Sequence, residues 1–580
     1  MGSSPSSACA VGGDILAAAS SSSSTVHRCY FPMWVVKVSD FLKMKGPPEP
    51  HGALQAQALL HEWSPDMFVI FVSHQWLSYT HPDPQGQQVE VLRKTLAGLI
   101  DGSLHVTEEV VALTDEMTMS ANTRRHIANG YLFLDWFAIP QITARQEGVN
   151  EQTIKSDAAL AVQSIPAYVE LSSLFVALVP DLMHKDSSEL VHYATWLSRG
   201  WCRAELWCWL LSNKIDTSVI VVYSPVQAEY MFPLDWQHNS IVKGDFTVEA
   251  DRETVVHLGE VAVESKIHHL QLLGPLSHYR FYAALRPKLL CQASANRELK
   301  GFLHHFHFSS LEEAVCDTSS MSGVMCAVLS GDTGMLRLLA ESRADMNQTM
   351  HGLSDLGYYD TQTMLMAAIK SRQDPSMLTT LIELRADVNG RSRTGLPALY
   401  MCRSPDHVKV LLESRAHLAS YALLGAASFA GPDTVQALLS ARCHPGGMGT
   451  AVYGPLHALA VFGRSNRQAV ESAKLLLECR ADVNMRCSPT GKTLWDARWS
   501  RLREALVGTA NCTMRTRWLA SMPGMSPLGC AAFAGHWQLA QLYLDYEAEP
   551  SPNDRGEWPE DLARNNHHHH LMPLLATFAT

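Results

Sequence analysis

The residues best suited to chemistry lie in the stretch Ser198-Arg199-Gly200-Trp201-Cys202-Arg203-Ala204-Glu205-Leu206. Trp201, Glu205 and Trp209 are four apart, so a helix stacks them on one face and sets the carboxylate of Glu205 between two indoles. A carboxylate so placed stabilises a cation-like centre, while the indole faces stack a flat ring and keep water out. A second polar and aromatic group follows two apolar runs: Ser73, His74 and Trp76 after Met67 to Val72, and Asp135 with Trp136 after Tyr131 to Leu134. Each of these residues also has an architectural reading. Glu205 can pair with Arg199 or Arg203 on a helix surface, His74 can satisfy loop backbone, and the indoles can fill core.

The elements that must position these groups are readable from residues 63 to 224. Four nearly continuous apolar runs, at Met67 to Val72, Tyr131 to Leu134, Leu174 to Val179 and Val219 to Tyr223, have the character of strands covered on both faces. Helical spacing separates them: Val89, Leu92, Leu96 and Leu99 on one helix, and Ala161, Ile165 and Tyr168 on another, where Pro166 breaks or bends the chain. This alternation predicts a parallel sheet with crossover helices, whose ligands gather beyond the carboxyl ends of the strands.

The series Phe71-Val72-Ser73-His74, then Phe133-Leu134-Asp135, then Ser198 to Leu206 with its W-C-x-x-E core, resembles the Toll/interleukin-1 receptor (TIR) domain family. The resemblance implies a flavodoxin-like parallel sheet that either assembles with like domains or cleaves NAD at the nicotinamide bond. In the second case Glu205 matches the catalytic glutamate and stabilises the oxocarbenium-like centre. Ser73, His74, Trp76, Asp135 and Trp201 are then the expected contacts to NAD. The chain departs from that family in the loop Asp135-Trp136-Phe137-Ala138-Ile139-Pro140-Gln141 and in an insertion over 103–130.

From about Ser322 the chain repeats itself. Arg343-Ala344-Asp345-Met346-Asn347 recurs at Arg385 and Arg480, with weaker copies at Arg415 and Arg442, each after a leucine-rich turn. With Gly454-Pro455-Leu456-His457-Ala458 and Gly535-His536, this resembles the ankyrin repeat, a turn followed by two antiparallel helices. About six irregular repeats are expected, binding a protein partner on their concave face. Arginine stands where that family usually has glycine, and a left-handed backbone there costs each arginine about 1 kcal/mol. The row of arginines is either a tolerated habit of the repeats or a basic ladder for an acidic partner.

Bulk properties narrow the remainder. Hydrophobic residues make up 47% and charged residues 18% of 580, as in globular proteins, and a net charge of -11 argues against broad nucleic-acid binding. The 13 cysteines show no C-x-x-C pair, so a reducing, cytoplasmic setting without a disulfide framework is expected, with no metal site. His567 to His570 do not change that, because a helix cannot aim four consecutive side chains at one ion. The Ser/Ala-rich start reads as a tail. Its Met1-Gly2-Ser3-Ser4-Pro5-Ser6 fits a myristoylation pattern, with Cys9 as a second acyl site and membrane association as the consequence.

The expected organisation is a disordered tail and lead-in (1–55), a TIR-like α/β domain (56–230), an extension or linker (231–315) and an all-α ankyrin-repeat solenoid (316–580). The expected function is protein interaction and signalling, with possible self-association through the α/β domain. NAD cleavage through Glu205, regulated by the repeats, is the alternative.

Overall fold

In the computed structural model the four apolar runs are strands. With two earlier short ones they are β1 (Trp34–Lys37), β2 (Leu60–Glu62), β3 (Val69–His74), β4 (Tyr131–Leu134), β5 (Leu174–Leu178) and β6 (Val219–Ser224). The structure describes residues 28–107, 119–141, 151–231, 236–237, 239–294, 296–419, 421–446, 452–509 and 512–576, without the side chains of 151–154. The tail, with Gly2 and Cys9, lies outside the described residues.

These six strands belong to an eight-stranded sheet and follow one another in the order β2-β1-β4-β3-β5-β6. β4, β3, β5 and β6 run parallel, and β1 and β2 extend the sheet antiparallel beyond β4. The lead-in is therefore part of the fold, since Val36 of β1 pairs with Leu132 of β4. The parallel strands are apolar on both faces because both faces are covered: every residue of β3 is buried, and Phe71 stacks on Phe133 and Phe175 at 4.8 and 5.4 Å. Val89, Leu92, Leu96 and Leu99 line the buried side of the helix Gln87–Asp101. The second expected helix is two, Glu151–Gln163 and Ile165–Leu171, divided at Ser164, with Pro166 in the first turn of the latter. Proline belongs there because its missing N–H is one that no helical carbonyl would have accepted.

The chain divides into two compact units. The first takes described residues within Met1–Val106, Met117–Leu178 and Lys214–Ala228, and the second those within Thr107–Glu116, Val179–Asn213 and Glu229–Thr580. This differs from a cut at residue 230. The W-C-x-x-E helix, Gly200–Leu210, belongs to the second unit together with the repeats. The 231–315 extension is helical, with Asp251–Leu273, Leu276–Leu289, Leu299–His305 and Leu311–Cys316.

The repeats are helix pairs: Gly323–Ser330 with Thr333–Glu341, Met364–Lys370 with Pro375–Glu383, Tyr421–Phe429 with Pro432–Ser440, Pro455–Phe462 with Ala469–Glu478, and Pro527–Ala534 with Trp537–Asp545. In the repeat at Pro405–Glu413 the first helix shrinks to the 3-10 turn Ala398–Met401. An extra hairpin, Gly491–Val507 and Met514–Ser521, is inserted before the Pro527 repeat. The residue four before each arginine, Leu339, Leu381, Leu411, Leu438 and Leu476, is fully buried.

The five arginines do adopt the left-handed backbone, with φ of 69° at Arg343, Arg385 and Arg442, 64° at Arg415 and 66° at Arg480. Each closes its helix. The N–H of Ala344, Ala386, Ala416, Cys443 and Ala481 reaches back to the carbonyl of the buried leucine at 2.9–3.0 Å, which satisfies an orphan C=O of the last turn. Glu547 (φ 61°) does the same in the last pair, where the sequence shows no R-A-D signature.

Candidate functional site

Most of the W-C-x-x-E motif is architecture. Gly200 sits where the chain crosses residues 244–246: its N–H donates to Asp245 O at 2.9 Å, and Asp245 N–H donates to Ser198 O at 2.7 Å. A Cβ on Gly200 would lie 2.0 Å from Phe246 Cζ, so only glycine permits the crossing. Arg203 is buried and donates to Leu197 O (2.6 Å), Ser240 O (2.6 Å) and Asn239 Oδ1 (3.3 Å). Burial pushes its pKa down to about 10. Arg199 donates to Thr247 Oγ1. Both guanidiniums thus bond the 239–247 segment, and Arg203 also bonds Leu197 O.

Trp201 Nε1 donates to Asp251 Oδ2 at 3.0 Å, and Trp209 is buried in the core. Glu205 is half-buried on this helix.

The strand-end residues belong to the first unit, and three of them meet. His74 Nε2 lies 3.0 Å from Asp135 Oδ1, and Trp76 Nε1 donates to Asp135 Oδ2 at 2.8 Å. Asp135 Oδ1 also accepts from Trp136 N–H at 2.6 Å. On the far side of the ring, His74 Nδ1 is 2.7 Å from Gln88 Oε1, while Gln88 Nε2 donates to Gln75 O at 2.8 Å. Gln88 is oriented by that second bond, so both ring nitrogens of His74 face acceptors, which suits the protonated ring. Burial would raise the Asp135 carboxyl, but the charge and hydrogen bond of His74 and the bonds from Trp76 and Trp136 hold it below its ordinary value. Asp135 is a carboxylate engaged by three donors, and it ties the ends of β3 and β4 together. Ser73 is buried within β3. A cleft of about 290 Å³ in this unit is lined by Asp40, Lys43, Arg93 and Phe137 among others, and by none of the expected NAD contacts.

The fold also assembles a group that sequence spacing does not show. His457, Cys487 and Cys530 are all buried, and their ligand atoms lie within 4.8 Å of one another, which could hold a soft metal ion. The residues come from three separate segments, which is why no C-x-x-C or H-x-x-H spacing marks them. The histidine is already engaged: its Nδ1 accepts from Gly454 N–H at 3.2 Å, so Nε2 carries the proton and faces Met525 O at 3.2 Å. Burial would raise the Cys487 thiol, yet hydrogen bonds from Cys530 and His457 bring it below its ordinary value.

Within the second unit the repeats bond the non-repeat segments through the short connections between paired helices and through one finger, where Gln237 Nε2 donates to Leu356 O at 2.9 Å and His278 Nε2 lies 2.7 Å from Asp355 Oδ2. Asp332 Oδ2 accepts from Arg297 N–H at 3.0 Å, Asp374 meets Lys288 at 3.2 Å, and Arg464 meets the buried Glu229 at 3.2 Å. Arg467 pairs with Asp245, and His570 stands 4.0 Å from Asp181. The sequence reading missed these residues; the only signal was two arginines in Gly463-Arg464-Ser465-Asn466-Arg467. The arginine row is exposed, but Glu341, Glu383, Glu413 and Glu478 each stand two residues before one of its members, so four of the five carry an adjacent acid.

Residues 453–488 match the ankyrin repeat family. Among solved structures, the ankyrin repeat domain of human ASB11 is similar at 19% identity, over 42% of this chain and 95% of that one, with a TM-score of 0.29. The ankyrin repeat domain of Bcl-3, a member of the IkappaB family, is similar at 20% identity over 42% of this chain and 96% of that one, with a TM-score of 0.27. No curated protein matches the chain. The family match and the helix pairs define an ankyrin-repeat segment, and the chain also holds an α/β unit with a mixed sheet. Ankyrin repeats imply protein–protein interaction, and that is the class of function assigned. No helix among the described residues is long and apolar enough to cross a membrane.

Proposed function

We propose that this chain is a recognition scaffold whose ankyrin solenoid grips a segment of its own chain by the connections between paired helices and offers its concave, finger-bearing side to a protein partner. The observation that supports this is the set of bonds from Asp332, Asp374, Arg464 and Arg467 to residues within 229–297. Those connections are already engaged within the chain. The finger turns bond to one another through Asn347, Asn389 and Asn484 and keep exposed polar side chains, and only the one at Asp355 and Leu356, which meets His278 and Gln237, is shown bonded to the 229–297 segment among the described residues. A photo-crosslinking amino acid placed at position 393, on a finger, or at 467, on a connection, tests the arrangement in the full chain. Position 393 is expected to capture a partner, and position 467 the chain's own 229–251 segment. Partner capture from 467 with none from 393 would overturn it.

A second reading keeps the TIR-like resemblance. It is supported by the parallel order β4-β3-β5-β6, the flavodoxin-like arrangement, which sets His74, Trp76 and Asp135 at carboxyl ends of strands. In that reading the α/β domain self-associates, or NAD is a substrate and Glu205 its catalytic carboxylate. Ser73, His74, Trp76, Asp135 and Trp201 would be contacts to NAD. Glu205, the carboxylate that matches the catalytic residue, is the one to test. Nicotinamide release by the full chain at high concentration, abolished in Glu205→Ala, is the result this reading requires.

A further inference from the structure

The inserted helix Gly491–Val507 carries an apolar ridge on its solvent side. Trp495, Trp499, Leu502 and Leu506 are 71%, 68%, 49% and 75% exposed, unusual values for four large apolar side chains on one helix. At 100° per residue they fall within an arc of about 60° and run for about 17 Å along the axis. The ridge is the outer side of a helix that is held from behind. Ala497, Ser500 and Glu504 are buried on the opposite face, Arg501 Nε donates to Ala520 O at 2.8 Å, and Glu504 pairs with Arg555. Fraying of a loose helix therefore does not account for the exposure.

The charges around the ridge are of one sign. Lys492, Arg498 and Arg503 are exposed, and helical spacing places Lys492 and Arg498 on opposite flanks of the tryptophans, each about 60° away from Trp495. The two acids of the helix are withdrawn: Glu504 is buried in its ion pair, and Asp496 is half-buried. In a chain of net charge -11 this is a local reversal of sign.

We propose that this ridge is a peripheral membrane contact that lies in the interface of an anionic bilayer, with its two indoles at headgroup depth and Lys492 and Arg498 beside the lipid phosphates. Three features select that occupant. Paired tryptophans with leucines on one face and cations alongside make up the composition that settles in a bilayer interface. The surface is a convex ridge rather than a groove, so it can sink among headgroups without a complementary cleft. A second copy of the chain is a poor fit, because a two-fold contact would bring the cations flanking one ridge toward a helix that offers no exposed acid to pair them.

The test uses the unacylated full chain, so that Gly2 contributes nothing, with vesicles of phosphatidylcholine alone or of phosphatidylcholine with phosphatidylserine. Co-sedimentation with the serine-containing vesicles is expected to fall about tenfold or more in the double variant Trp495→Ser/Trp499→Ser. It should weaken in Arg498→Glu and at high salt, and be slight on phosphatidylcholine alone. The tryptophans are exposed, so the double variant should keep the wild-type circular dichroism and unfolding midpoint. If that variant unfolds, Arg498→Glu and the salt series decide alone. No binding by the wild type, binding indifferent to these changes, or a ridge buried instead in a dimer or a protein groove would overturn the proposal.

Discussion

The side-chain oxygen of Asn347 accepts a hydrogen bond from the backbone N–H of Asp387 at 2.7 Å, and its Nδ2 donates to Arg385 O at 3.1 Å. One residue of a finger turn thereby holds the corresponding turn of the following repeat by both ends of its amide. Asn389 does the same to His417 and Arg415, and Asn484 accepts from Glu549. The last residue of the R-A-D-x-N motif is the fastener between repeats.

Asn347→Ala removes both bonds and leaves an N–H and a carbonyl to water. Because the turn is exposed, the cost is expected to be about 1–2 kcal/mol, seen as a lowered urea midpoint. Asn389→Ala should cost less, since its donated bond is long at 3.4 Å. Equal stability of Asn347→Ala and the wild type would show that the fastener carries no load.

Arg385→Gly should stabilise the chain by about 0.5–1 kcal/mol, because φ of 69° suits glycine and the side chain lost is on the surface. Part of the gain is offset by the greater freedom glycine gives the unfolded chain. A partner whose affinity drops tenfold in this variant would mean the arginine row is read by that partner.

Gly200→Ala should destabilise the second unit by about 1–3 kcal/mol or more, since the new methyl meets Phe246 and the crossing at 244–246 must open. Combining it with Phe246→Leu relieves part of the clash, so the double variant should be more stable than the sum of the single losses. Urea unfolding followed by tryptophan fluorescence reads both. An additive pair would place Phe246 away from Gly200.

Acid should weaken the repeats through His536. Burial above all, helped by Arg464 and His192, brings its pKa from 6.5 down to about 3 in the folded chain. The unfolded chain therefore binds this proton below 6.5 while the folded one refuses it until about 3, so the stability is whole above pH 6.5 and drains as pH falls toward 3. In His536→Gln the loss between those limits should be smaller. A slope remains, because His305 is held at about 4, by burial first and then by the charge of Arg297. Unfolding midpoints from pH 7.5 to 4 for both proteins test the sign.

Sequence periodicity located what depends on neighbours along the chain. The four parallel strands were legible because strands buried on both faces must be apolar throughout, and β3 to β6 each fall within about two residues of the expected runs. The repeats were legible because a helix pair that cannot bury its apolar face alone must repeat its leucines, and Leu381, Leu411, Leu438 and Leu476 are fully buried. The left-handed turn at each arginine followed from its alignment with a glycine.

What only the tertiary structure decided is which distant segments share a core, since hydrogen bonds and close packing act across space and leave no spacing in the chain. Helical spacing aligned Trp201, Glu205 and Trp209, yet it carried no information about the 239–251 segment that takes the bonds of Gly200, Trp201 and Arg203. For the same reason it grouped that helix with the sheet, whereas packing assigns it to the repeats. His74, Trp76 and Asp135 do meet, as their places at strand ends suggest, but only packing supplies their partners Gln88, on the far side of the His74 ring, and Trp136 N–H, on the carboxylate. The Trp495 ridge shows the reverse case. Its helical period was in the sequence, and only the burial of Ala497 and Glu504 reveals that the apolar side faces outward.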